Sequence, residues 1–312
     1  MTTLNLSSMA HGLNYLPEYV ARDNGIFAAN GLEVPCTLHD PWDGIMHALA
    51  DGSADVALGG VWVPAMYSSR SSLRGKDFVA IAQLNDRFPM CIVTRDRVDG
   101  FDLSWLRDRT ILVPGQGGTA PAEFTRGLMR EAGLDPWQTR FVHDLSMPML
   151  HDLYVGGLGD AFLTDLVTAL DLQREGRGHL SYVHAERGGR MPNSVYYVLR
   201  ERLDELTPAL VPFVKSIDEA MRHLREGAAV DLPGLFVAEW PEADQSTLLA
   251  ATELLVKHGV WNTSRVDREA LERWTGILHT AGLTVNHVKY EDIIDTRAMV
   301  DPQQLGSDVV SG

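Results

Sequence analysis

Residues Arg109 to Pro136, RTILVPGQGGTAPAEFTRGLMREAGLDP, place an apolar strand, a glycine loop and a helix in that order. Thr110 to Val113 reads as the strand, Gly115, Gly117 and Gly118 as the loop, and the spacing predicts a helix from Pro121 to Ala132. Thr119 suits the N-cap, Pro121 the first turn and Gly133 the stop. A helix start behind a glycine loop offers unpaired backbone N–H groups and the positive end of a dipole. It can therefore seat a carboxylate, sulfonate or phosphate. The alternative is that the glycines only turn the strand into the helix. Gly115-x-Gly117-x-x-Ala120 also brushes the dinucleotide fingerprint, with Asp144 as a ribose partner, but about a hundred residues of other α/β structure come first.

A chain of 312 residues can bury two lobes of roughly 100 to 200 residues each. Its formal charge of −15 opposes nucleic acid and anionic membrane as partners. Cys36 and Cys91 give neither a disulfide framework nor Cys-x-x-Cys, and each sits in a strand-like run that predicts a buried, inert thiol. There is no His-Glu-x-x-His or comparable metal spacing, so neither metal nor cofactor is expected. No apolar run is long enough for membrane insertion. Met1 leads into LNLSSM without a signal-like segment, which predicts a cytoplasmic protein if Met1 is the native start. If a signal peptide was removed, the expectation becomes periplasmic or cell-surface.

Strands are expected at Leu4–Leu6, Leu32–Leu38, Asp55–Leu58, Phe78–Leu84 and Cys91–Thr94. Helices are expected at Pro17–Phe27, after an Asp40-Pro41 cap, and at VPAMYSSR. A second alternation follows the glycine loop: strands Phe141–Val142, Asp160–Leu163 and Leu180–Val183, with helices Met147–Val155 and Leu166–Glu175 between them. Ser194–Leu199 is extended, and helices fill 207–226, 231–239, 245–258 and 267–281. Short strands alternating with helices argue an α/β protein with a doubly wound, mostly parallel sheet in each lobe.

Several segments fall into a familiar order. PEYVARDNGIFAANGLEV resembles the P-x-YVA-x-x-x-G-x-F-x-x-x-GL-x-V opening of type II periplasmic-binding-protein-like domains. ALADGSADVALGG is similar to their AL-x-x-G-x-x-D-x-A turn, and GDAFLTD to its counterpart in the second lobe. HGVWNTSRVDREALERWTGILHTAGL with YEDIID is similar to the C-terminal helices of the nitrate/sulfonate/taurine-binding and thiamine-pyrimidine-precursor branch. The resemblance implies two lobes joined by two crossover strands, with a ligand cleft between them. Lobe one would hold 1–95 and 197–312, and lobe two 96–196.

In open α/β sheets ligands sit beyond the carboxyl ends of the strands. Those ends carry Met9, His11, Asn14 and Tyr15, then Trp42, then Gly60 and Trp62, then Asn85. The second lobe offers Gly117, Gly118 and Thr119, then Thr164 and Asp165, with Asn193 at the return strand. Aromatic faces, neutral donors and one backbone anion seat suit a small anionic ligand with an aromatic or heterocyclic body. Each residue has a plainer role available. Trp42 could cover its helix, His11 could be a solvated loop residue, Asp165 could cap a helix, and His47 on a helix reads as structural.

The resemblance admits two functions. One is a solute-binding protein, partnered by a transporter permease if exported. The other is a leaderless enzyme of the decarboxylase, desulfinase, dehydratase or pyrimidine-precursor synthase type. The loop after strand one has Met9-Ala10-His11 where a desulfinase-type cysteine would be expected, and the cysteine cluster of the pyrimidine synthases is absent. What survives for catalysis is His11 with Asp165 on the opposing lobe, a pair able to do acid–base work or to hydrogen-bond a ligand.

Overall fold

The computed structural model describes residues 1–68, 77–115, 119–143, 145–227 and 230–299. Ten strands build two five-stranded sheets. In chain order they are β1 (Leu6–Ser8), β2 (Cys36–Leu38), β3 (Val56–Gly60), β4 (Phe78–Gln83) and β5 (Met90–Thr94). Then follow β6 (Thr110–Leu112), β7 (Arg140–Val142), β8 (Ala161–Asp165), β9 (His179–Val183) and β10 (Ser194–Leu199). The first sheet has the order β2-β1-β3-β10-β4 and the second β9-β5-β8-β6-β7. The chain thus crosses between sheets twice, after β4 and after β9. In each sheet the strand that has just crossed, β5 or β10, is the one running antiparallel to its neighbours.

The main helices are α1 (Leu16–Asp23), α2 (Gly44–Asp51), α3 (Trp62–Ser68), α4 (Ala120–Glu131) and α5 (Met147–Val155). They continue with α6 (Leu166–Arg174), α7 (Leu203–Glu226), α8 (Leu232–Glu239), α9 (Gln245–Lys257) and α10 (Arg268–Thr280). Strands β3, β4 and β10 are buried along their whole length, because helices cover both faces of the sheet. That explains why they read as continuous apolar runs rather than alternating ones.

The last two long helices reach across to the second lobe. From α9, Thr247 Oγ1 donates to Asp171 Oδ1 at 2.9 Å, and Asp244 at its cap pairs with Arg174 at 2.9 Å. From α10, Arg273 Nε donates to Glu131 at 2.7 Å. Ile277 fills the space over Gly127 of α4, where a Cβ would stand 2.5 Å from its Cδ1. Only glycine lets these helices approach so closely.

Several local expectations need correction. The first strand is Leu6–Ser8, not Leu4–Leu6, and Thr2–Thr3 instead pair with Leu32–Glu33 in a separate ladder. The expected strand Leu32–Leu38 is split, because Pro35 has no N–H to donate and interrupts the run. Asp40 does not cap α2, since residues 41–44 form a turn (Gly44 N to Pro41 O, 3.1 Å) and Asp43 takes the N-cap position. Gly25, with φ of 69°, ends α1 before Phe27. Residues 90–94 already belong to the second sheet, so the chain crosses before Met90 rather than at 95–96. Cys91 is buried as expected, but Cys36 is exposed because β2 is the edge strand of its sheet. The residues Gly117, Gly118 and Asp144 lie outside the described residues.

Candidate functional site

The carboxyl ends of β1, β3 and β8 converge with the two crossing segments on a cavity of about 450 Å³. The loop after β1 contributes Met9 to Tyr15, and β3 runs out through Gly60 to Trp62 at the start of α3. The crossing segments supply Phe88, Pro89 and Met90, then Asn193 and Ser194. The second lobe supplies Pro114, Ala120, Pro121 and Met147, and Asp165 to Thr168 at the start of α6. Trp240, Ala243, Leu248 and Leu255 close the remaining side. A wider, more open depression of about 700 Å³ around Arg97, Gln173 and Arg187 lies away from these strand ends.

Why these side chains stand here follows from local structure. Gly60 ends β3 without a side chain, and the Trp62 indole folds back over it, so that a Cβ there would lie 2.0 Å from Nε1. Trp42 does not line the cavity. It packs edge-on behind Trp62 with ring centroids 5.1 Å apart. Asn85 is fully buried one layer back, donating from Nδ2 to Asn14 O at 2.9 Å, while Trp261 Nε1 donates to the same carbonyl at 2.9 Å. The loop carrying Asn14 and Tyr15 is thereby fixed. Thr164 is also fully buried, and its carbonyl accepts from the Cys91 thiol. Burial pushes that thiol well above its usual range, so it stays protonated. Burial likewise pushes the Tyr15 phenol up to about 12.

Of the expected residues, Met9, His11, Asn14, Tyr15, Gly60, Trp62, Asp165 and Asn193 meet at the cavity. Thr119 occupies the N-cap of α4 without capping through its side chain, while its neighbours Ala120 and Pro121 line the wall. The pairing of His11 with Asp165 does not form. Asp165 caps α6, accepting from Thr168 N at 3.0 Å and from Thr168 Oγ1 at 2.7 Å, because the unpaired N–H groups of a helix start claim the nearest carboxylate. His11 instead places Nε2 2.9 Å from Glu239 Oε2 at the end of α8. His47 is exposed on α2, away from the cavity.

Sequence reasoning passed over Glu239, Trp240, Phe88, Met90 and Met147. A signal for two of them was present: Glu239-Trp240 ends a helix immediately before Pro241, a place where a tryptophan contributes little to helix packing. No arginine or lysine stands among the described lining residues. Positive potential comes instead from the start of α4, which no described side chain caps. The walls are tryptophan, tyrosine, methionine and proline. Such a lining takes up a flat or apolar body and leaves few directional contacts to orient it.

Among the described residues no group of three or more His, Cys, Asp and Glu side chains could hold a metal ion. Also among them, no helix is long and apolar enough to cross a membrane.

Comparison with known proteins gives a consistent picture. The family model described as "NMT1/THI5 like" matches residues 13–226. A Bacillus subtilis (strain 168) protein, "Putative binding protein YtlA", is 22% identical over 298 residues, covering 95% of this chain and 88% of that one. The alkanesulfonate-binding protein SsuA from Xanthomonas axonopodis pv. citri, solved bound to MOPS, superposes with a TM-score of 0.72. It is 14% identical, with 95% of this chain and 99% of that chain covered. A mutant of DSZB in complex with biphenyl-2-sulfinic acid superposes with a TM-score of 0.67 at 15% identity, covering 95% and 97%. At such identities the two structures speak for the fold, which is the two-lobed, type II periplasmic-binding-protein-like one.

Proposed function

This chain belongs to the NMT1/THI5-like family, and on that premise we propose that it binds a small anionic molecule with an aromatic or heterocyclic body in the interlobe cavity. In this reading it acts as a solute-binding-protein-like domain, and a transporter permease is its partner if it is exported. The observation that carries the reading is the combination of aromatic and methionine walls with a helix start beside them that no described side chain caps. The walls favour a flat apolar body, and the free N–H groups favour negative charge on one end of it. The binding-protein relatives are in accord with this.

An enzymatic reading rests on His11, whose ring is held by Glu239 in the manner of an oriented acid–base residue. Neither cysteine lines the cavity, so a thiol-dependent mechanism finds no nucleophile among the described lining residues.

Native mass spectrometry of gently purified protein tests the binding reading directly. A retained small acid is the expected result, and a retained cation would overturn it. Incubating the recovered molecule with wild type and with His11→Asn, followed by mass analysis, separates the two functions. A binder returns the molecule intact from both. An enzyme acting through His11 consumes it in wild type and loses about 10² to 10⁴ in rate in the variant.

A further inference from the structure

His11 is held on three sides. Its Nε2 meets Glu239 Oε2 at 2.9 Å, and the rings of Trp240 and Tyr19 flank it at 4.9 and 5.2 Å. The flanking rings are themselves fixed: Tyr19 accepts from Gly12 N at 3.3 Å and packs edge-on against Trp240 at 5.4 Å. Glu239 is backed by Arg22, whose Nη2 donates to the other carboxylate oxygen at 2.5 Å. A ring held this way has one free edge. No described residue bonds Nδ1, and His11 and Trp240 both line the cavity.

We propose that Glu239, backed by Arg22, is a positioning residue that turns the Nδ1 edge of His11 into the cavity, and that His11 thereby selects the anionic group of the ligand. The inference rests on the binding of an anion set out above and names the residue that recognises it. A carboxylate or sulfonate accepts from Nδ1–H while Glu239 accepts from Nε2–H, so the bound state is the imidazolium, with the extra proton drawn from solvent. His11 supplies the cation that the walls otherwise lack. Arg22 is shared between Glu239 and Asp23, so the cluster with the imidazolium is close to neutral, and it is the direct Nδ1–H donation that carries the preference for an anion.

The charged and titratable groups around His11 come from four elements. Glu239 is on α8; Glu18, Tyr19, Arg22 and Asp23 are on α1, with Arg22 bonded to Asp23 at 2.6 Å. Cys36 of β2 is hydrogen-bonded to Glu18 behind them, and Asp165 is on the far wall with its carboxylate committed to α6.

The test is calorimetry with three probes of one shape: benzoate and benzenesulfonate, which are anionic, and benzamide, which is neutral. Wild type is expected to prefer both anions over benzamide by about tenfold or more, the scale of one charge-assisted hydrogen bond. In His11→Asn it should drop to about threefold or less. Glu239→Gln should reduce it about fivefold, while Glu239→Asp, which restores the acceptor, should recover part of it. Thermal melts check that each variant folds. If wild type shows no preference for the anions, or binds none of the probes, the anionic reading falls and this inference with it. If the preference survives unchanged in folded His11→Asn and Glu239→Gln, the anion is held elsewhere and this inference alone is overturned.

Discussion

Arg190 closes on Asp86 where the two crossing segments meet. Its Nε stands 3.0 and 3.1 Å from the two carboxylate oxygens, and Asp86 is 1% exposed. Arg190 also donates to Asp267 at the cap of α10 at 2.7 Å, so one guanidinium ties both crossings to the C-terminal helices. Arg190→Ala leaves a buried carboxylate with Gln83 as its remaining side-chain donor among the described residues. The expected loss is about 2–3 kcal/mol, discounted from the usual figure for a fully buried pair because the arginine is partly exposed. Urea unfolding measures it, and a loss below about 0.5 kcal/mol would show that the pair is not needed to hold the crossings.

Glu18 predicts a pH dependence. Burial pushes its carboxyl up from 4.5 to about 7, against the donation from Tyr196 OH at 3.2 Å. Unfolded, the same group releases its proton near 4.5, so the folded state binds the proton more tightly. Its contribution is complete below the unfolded value and is lost as pH rises from 4.5 through about 7. The total is roughly 3 kcal/mol. Glu18→Gln removes the titration. The stability difference between variant and wild type should therefore grow in the variant's favour between about pH 4.5 and 8, and equal slopes for the two proteins would refute the assignment.

Gly60→Ala places a Cβ 2.0 Å from Trp62 Nε1, so the indole must leave its seat. Affinity for the retained ligand should fall by about tenfold or more, in line with losing an aromatic wall. Adding Trp62→Ala relieves the clash, so stability should partly return while binding stays weak. Full affinity in Gly60→Ala would mean that Trp62 does not face the ligand.

Asp165 separates a cap from a charge. Asparagine caps nearly as well as aspartate, so Asp165→Asn should change stability by less than about 0.5 kcal/mol, whereas Asp165→Ala should cost about 1–2 kcal/mol. Thermal melts of the two variants give the comparison. Equal losses would mean that the negative charge, not the hydrogen bonds to Thr168, is what the site requires.

Much of this architecture was legible because it rests on local chemistry. Met147–Val155 and Ser194–Leu199 are where periodicity placed them, and Gly52, Gly133 and Gly282 end their helices in left-handed conformations. The return crossing at Ser194–Leu199 was legible, but the first was not, since an extended run such as Met90–Thr94 looks the same in either sheet. At the site, residues following β1, β3 and β8 could be named because strand ends are marked in sequence. The partner of His11 could not. Glu239 lies 228 positions away and is brought in by the packing of α8 on α1, and no local pattern records that contact.

The reach of α9 and α10 onto the second lobe bears on how fast a ligand can exchange. Parting the lobes stretches Arg174–Asp244 and Arg273–Glu131, pairs whose arginine side chains are 52% and 30% exposed. Such contacts are screened by salt, whereas the packing of Ile277 over Gly127 is not. Residence time should accordingly shorten with ionic strength at constant temperature, the apolar seam setting a floor beneath which added salt has no further effect.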